Sequence, residues 1–235
     1  MRMTWRDLLF AHWPVPPEAL RPHLPDSLTI ETFDGSAWIG IVPFRMEDVR
    51  LRDLPSFPGT GAFPELNVRT YVRAGGHSGV WFFSLDAASR LAVRSARLWF
   101  GLPYFDARVK METEGRVEAG EGSRIRYRSR RTHRGAPPAA FDGTYRPIGP
   151  ASPAVSGSLD RWLTERYCLF VSDRTGEMRV GEIHHEPWSL QSAEAEIRTN
   201  TMAEPLGLTL AGDPILHFAH RLDVLAWSPV ALDRL

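Results

Sequence analysis

Apolar and polar side chains alternate at a spacing of two through much of this chain, which predicts a protein built chiefly of strands. From Leu28 the run LTIETFDGSAWIGIVPF alternates about Asp34-Gly35, a two-residue turn signal between β-rich flanks, and predicts a hairpin. Phe63 to Arg73 alternates strictly: Glu65, Asn67, Arg69 and Tyr71 share one face, and Leu66, Val68 and Thr70 the other. Gly75-Gly76 then turns the chain into the bulky run Gly79 to Leu85, which suits a strand buried on both faces and pairs with the preceding one. Alternation resumes in Tyr104 to Glu114 and Val117 to Arg131, the latter with arginines at 124, 126, 128 and 130 that read as a solvated face. Further strands are expected at Leu169 to Ser172, Met178 to His185, Ala193 to Ile197 and Ile215 to Trp227.

A helical period appears only briefly. Proline is tolerated in a first turn, so Pro14, Pro16 and Pro17 introduce a short helix over Glu18 to Arg21 that is stopped by Pro22 and Pro25 and plugs or covers an edge. Asp86 is a good N-cap for a helix over Ala87 to Leu98, and Ser158 for one over Leu159 to Tyr167 with an apolar stripe of Leu159, Trp162, Leu163 and Tyr167. Arg50 to Gly61 and Gly135 to Gly157, both rich in proline and glycine, read as loops. Roughly ten strands and two helices imply a mainly β (α+β) fold, an antiparallel barrel or double sheet with a few attached helices. At 235 residues the chain is expected to form one domain over 1–235, since β-barrels reach this size.

Composition narrows the function classes. Lys and Arg total 28 and Asp and Glu 28, so no cationic excess exists to displace counterions from phosphates, and nucleic acid is not an expected partner. No stretch approaches a membrane span and the first residues lack a sustained apolar run, so a cytoplasmic location is expected. The lone cysteine, Cys168, sits among bulky apolar neighbours and reads as a buried thiol. His184 and His185 point to opposite faces of a strand, and His217 and His220 are spaced wrongly for one face, so no metal site is expected. No nucleophile elbow, Walker loop or dinucleotide fingerprint occurs, and no cofactor is expected. Glu165 and Arg166 read as salt-bridge partners of a neighbouring strand. The face carrying Glu65, Asn67 and Arg69 holds chemistry only if it lines an interior, and periodicity does not distinguish inside from outside.

Several phrases resemble the uncharacterised bacterial YqjF-like family over nearly the whole chain: Phe10-Ala-His-Trp13, Phe63-Pro-Glu-Leu-Asn-Val-Arg-Thr-Tyr71, Val80-Trp-Phe-Phe-Ser-Leu-Asp-Ala87, Leu163-Thr-Glu-Arg-Tyr167 and His184-His-Glu-Pro-Trp188. That family is in turn distantly similar to acetoacetate decarboxylase, through Glu18-Ala-Leu-Arg-Pro-His-Leu-Pro25, Leu85-Asp86 and Gly101-Leu-Pro-Tyr-Phe105. The resemblance implies a cone-shaped β-barrel enclosing a pocket, with Arg6 and Glu65 in the places of a pocket arginine and glutamate, and it implies subunit pairing. It fails at the chemistry. Tyr104 and Phe105 stand where the reactive lysine and its neighbour would be, and neither forms an imine. Lys110 is the sole lysine, and six residues of extended strand carry it roughly 20 Å from Tyr104.

The leading expectation is therefore a pocket for a small carbonyl- or carboxylate-bearing metabolite. Arg6 or Arg69 would pair with anionic oxygen, Glu65 and Tyr104 would supply hydrogen bonds, and Asn67 and Phe105 would complete the lining. One alternative is a lysine-independent lyase or isomerase with Glu65 as base and Tyr104 as acid. Another is an interaction or structural protein with a filled barrel and its function on the Arg124 to Arg131 stripe.

Overall fold

A computed structural model of the chain describes residues 1–50, 62–89, 101–114, 123–173 and 175–232. The strands are β1 (Arg2–Val15), β2 (Thr29–Ile30), β3 (Ala37–Arg50), β4 (Ala62–Ala74), β5 (His77–Ala87), β6 (Tyr104–Glu114), β7 (Arg124–Arg131), β8 (Ala140–Pro153), β9 (Cys168–Ser172), β10 (Met178–His184), β11 (Ser189–Asn200), β12 (Ile215–Ala226) and β13 (Val230–Ala231). Among the described residues two short α-helices accompany them, α1 (Pro17–Leu20) and α2 (Leu159–Thr164). No helix among the described residues is long and apolar enough to cross a membrane.

All the strands belong to one sheet that branches. β5 pairs antiparallel with β4 and parallel with both β6 and β9, while β12 pairs with β1, β11 and β10. The wall β12-β1-β3-β4-β5 is thus closed on one side through β6, β7, β8 and β11, and on the other through β9 and β10. Both faces of this wall are buried over the middle of β1, β3 and β4. Leu9, Ile39, Ile41, Leu66 and Val68 pack with Ile125, Tyr127, Phe141 and Tyr145, and the alternate residues Phe10, Val42, Phe44, Phe63 and Leu85 pack with Tyr104 and Trp188. This double burial explains why the shared strands carry near-continuous apolar runs.

β1 shows how such a strand escapes a simple alternation count. Its register with β3 shifts between Arg6 and Ala11, and Asp7 takes the left-handed backbone (φ 51°) at the bulge. The Tyr145 hydroxyl donates to the Asp7 carbonyl at 2.8 Å, and Asp7 Oδ1 lies 3.1 Å from His220 Nδ1, so side chains from β8 and β12 fix the irregularity.

Other expectations are corrected here. The Gly135 to Gly157 segment is no loop through most of its length, because β8 places Phe141 and Tyr145 in the core and pairs with both β7 and β11. Asp86 is not a helix cap: β5 continues through Ala87, and the Asp86 carboxylate serves Arg131 instead. The remainder of the expected helix, residues 90–98, lies outside the described residues, as do 51–61 of the expected loop. The Asp34-Gly35 turn forms with both residues at positive φ, but it closes only the Phe33–Ser36 bridge, and β2 pairs with β4 rather than β3. The arginine stripe does face outward, with Arg128 ion-paired to Glu112 on β6.

Candidate functional site

Strand alternation carries Phe63, Glu65, Asn67, Arg69 and Tyr71 of β4 onto the face shared with Phe10, Val42 and Phe44, and every one of them is buried. Glu65 lies between Phe44 on β3 and Ala87 on β5. Leu85 of β5 is in parallel register with Tyr104 of β6, so Tyr104 reaches the same face from the far side of β5. Its hydroxyl hydrogen-bonds to the Glu65 carboxyl. The other oxygen, Oε2, has no partner.

Burial dominates the electrostatics of this pair. It pushes the Glu65 carboxyl up to about 8; the Tyr104 bond opposes the shift and the charge of Asp86 adds to it. Tyr104 is raised well above the usual phenol range by burial and by Glu65, so it stays a neutral donor. At neutral pH the pair comprises a protonated carboxyl and a phenol whose hydroxyl donates to it, which leaves the carboxyl proton to donate to a carbonyl oxygen.

Further along the strand, Asn67 Oδ1 and Arg69 Nε are also buried without partners. The Arg69 guanidinium donates to the Leu163 carbonyl at 3.2 Å and sits 5.2 Å from the Phe10 ring centre and 5.7 Å from that of Tyr71, but no carboxylate among the described residues pairs with it. Beside it, His12 Nε2 and the Tyr71 hydroxyl are 2.7 Å apart, and that hydroxyl donates to the Leu163 carbonyl at 2.8 Å. Burial, then the Arg69 charge, hold His12 well below its usual range, so it is neutral. Gly40 leaves room for the cluster, since a Cβ there would lie 3.0 Å from His12 Cδ2 and 3.4 Å from Arg69 Cγ.

The expected site residues therefore divide. Glu65, Tyr104, Asn67 and Arg69 share one buried face. Phe105 points to the other, where it is in register with Asp86, and the Arg131 guanidinium lies 4.2 Å from its ring centre. Arg131 and Asp86 form a buried bidentate ion pair there, with Nη2–Oδ1 at 2.6 Å and Nε–Oδ2 at 2.9 Å. Arg6 is opposite Arg45, which is opposite Pro64, so it is one residue out of phase with Glu65; it pairs with Glu47 at 3.2 Å. Sequence reasoning did not assign roles to His12 or Tyr71. Tyr71 was already on the Glu65 face by alternation, but nothing in the sequence pointed to its partners His12 and Leu163. Lys110 is exposed and ion-paired with Glu112, so no lysine of this chain reaches the Glu65 face.

A family model for DUF2071, described as an uncharacterized conserved protein, matches residues 2–223. The chain belongs to the DUF2071 family. It is 49% identical over 228 residues to the uncharacterized protein YqjF of Bacillus subtilis (strain 168), covering 97% of this chain and 90% of YqjF. Among solved structures it resembles an acetoacetate decarboxylase-like enzyme from Sphingomonas wittichii RW1 (TM-score 0.65, 12% identity, 98% of this chain and 92% of that one). It also resembles the enduracididine biosynthesis enzyme MppR complexed with pyruvate (TM-score 0.64, 12% identity, 98% and 90%). Acetoacetate decarboxylase from Legionella pneumophila follows with a TM-score of 0.60, 14% identity and coverage of 98% and 87%. At these identities the likeness establishes an acetoacetate decarboxylase-like fold for this DUF2071 chain.

Proposed function

We propose that this DUF2071 protein binds a small metabolite bearing a carbonyl and a carboxylate along the Glu65–Asn67–Arg69 row, without covalent attachment to lysine. The observation that carries the reading is the buried Arg69 guanidinium with no carboxylate partner, on the same face as the unpartnered Oε2 of Glu65. An isolated buried cation is costly and calls for an anion. Each orphaned buried polar atom costs about 1–3 kcal/mol unless something bonds to it. In this reading Arg69 takes the carboxylate, while protonated Glu65, oriented by the Tyr104 hydroxyl, donates to the carbonyl and Asn67 spans the interval. A fold neighbour solved with pyruvate supports the class of ligand. Cytoplasmic residence fits a chain whose single thiol, Cys168, is free.

The test is small-molecule co-purification read by mass spectrometry, followed by calorimetric titration with short keto acids. Wild-type protein is expected to bind a keto acid and the Arg69→Met variant to lose about tenfold or more, the worth of a charge-assisted hydrogen bond. Undiminished binding in that variant, or no keto acid bound by wild type, would sink the proposal.

A carboxyl with its pKa near 8 also favours a second reading, in which Glu65 moves a proton to or from a bound carbonyl compound, since acid–base catalysts work best near the ambient pH. Tyr104 would then hold the carbonyl oxygen. Turnover that vanishes in Glu65→Gln while keto-acid binding persists would separate catalysis from binding alone.

A further inference from the structure

Beside Trp162, whose ring centre lies 4.8 Å from that of Tyr71, the surface opens into a cleft of about 350 Å³. Its lining comes from the Glu31–Phe33 stretch, from Arg73 and Ser78 of the β4–β5 hairpin, and from the segment 157–167 that contains α2. The volume is within the range of small-ligand pockets. Three features define what it would take. Its carboxylates are already engaged: Glu31 by Arg73, Ser78 and Arg166, and Glu165 by the Tyr167 hydroxyl and the Trp188 backbone N–H.

Its guanidiniums are not all satisfied. Arg161 is exposed, and its side chain makes no ion pair or hydrogen bond with any described residue. Arg166 is buried, bonds through Nε to the Trp162 carbonyl at 2.8 Å, and has Nη2 without a partner. The third feature is the half-buried aromatic lining of Phe33, Trp162 and Tyr167. Trp162 is held against the Arg166 guanidinium, 4.5 Å from the ring centre, and against Tyr71 at 4.8 Å, so its plane is fixed before any ligand arrives.

We infer that this cleft is a second small-molecule site, for a planar apolar compound carrying one carboxylate, with Arg161 taking the anion and Trp162 and Phe33 the ring. It is separate from the Glu65 row and does not depend on the function proposed there. An anion is selected because three guanidiniums face two carboxylates, and both carboxylates have their bonds. A ring is selected because the apolar part of the lining is aromatic and pre-positioned.

Benzoate is the probe, and the Trp162 indole N–H resonance, assigned by its loss in Trp162→Phe, is the readout. Benzoate is expected to shift that resonance saturably in the wild type. Arg161→Glu, at an exposed position, is expected to weaken binding about tenfold or more, as for loss of a charged hydrogen bond. Benzamide, which keeps the ring and lacks the charge, is expected to bind far more weakly than benzoate. Glu65→Gln is expected to leave the titration unchanged. The inference is overturned if benzoate produces no saturable shift, if Arg161→Glu binds it as tightly as the wild type, or if benzamide binds equally well. A titration altered by Glu65→Gln would overturn the separateness of the two sites.

Discussion

Replacing Glu65 with glutamine is expected to stabilise the protein at neutral pH and to leave it unchanged in acid. The folded pKa of this carboxyl, about 8, exceeds its ordinary value of 4.5, so between those limits the native state binds more protons than the unfolded one. Stability in the wild type is therefore full below about pH 4.5, falls as pH rises, and levels off above about pH 8. Glutamine has the shape of the protonated acid, keeps a carbonyl to accept from Tyr104, and does not titrate. The gain is accordingly about zero at pH 4, about 3 kcal/mol at pH 7 and about 5 kcal/mol above pH 8 as an upper figure. At this chain length that corresponds to a rise in Tm of about 6–12 °C at pH 7. Thermal melts of both proteins across this pH range check it, and a difference that does not change with pH would contradict it.

A loss of similar size is expected from Asp86→Ala. Asp86 is fully buried and Arg131 is nearly so, and burial raises the Asp86 carboxyl while the Arg131 bonds oppose that shift. The Arg131 guanidinium is a cation held to Asp86 through two of its nitrogens. Removing the carboxylate strands that charge on the inner side of β7, which costs about 3–5 kcal/mol for a buried pair. Removing both charges, as in Asp86→Leu with Arg131→Met, is expected to recover most of the loss, because a close-packed apolar pair needs no desolvation of ions. Denaturant unfolding of the two single variants and the double variant measures the coupling. Additive losses would show that the two groups act independently, contrary to their 2.6 Å contact.

What the sequence disclosed follows from which physical signals are local. β6 was legible to its ends, Tyr104 and Glu114, because one face is exposed and the alternation is clean. β4 was legible as an alternating strand, but its polar face was not legible as buried. Glu65, Asn67 and Arg69 would print the same pattern on a solvated face, and only the closure of the sheet through β5, β6, β9 and β12 covers them. β8 was hidden by Pro147, Pro150 and Pro153, although Phe141 and Tyr145 keep the spacing of two within it. Asp86 read as a cap because the side chains that cap helices also accept arginine, and Arg131 is remote in sequence. The tie between β4 and α2, made by Arg69 and Tyr71 on the Leu163 carbonyl, left no sequence signal at all, since a backbone acceptor has no residue type.

The fold alone does not dictate function, and acetoacetate decarboxylase-like chains supply a clear instance. Here the architecture is kept while the only lysine sits exposed on β6. No lysine lies on the Glu65 face to form an imine, and in the reading proposed above Glu65 and Tyr104 act there by hydrogen bonding and proton transfer.

One titration bears on this most directly: carbon NMR of the protein labelled at the glutamate side-chain carboxyl, followed across pH, with Glu65→Gln identifying the resonance. A signal that stays protonated through pH 7, titrates near pH 8 and shifts when a keto acid is added is the predicted result. A midpoint near the ordinary 4.5, with no response to keto acids, would mean that the Glu65 carboxylate is ionised, solvated and idle.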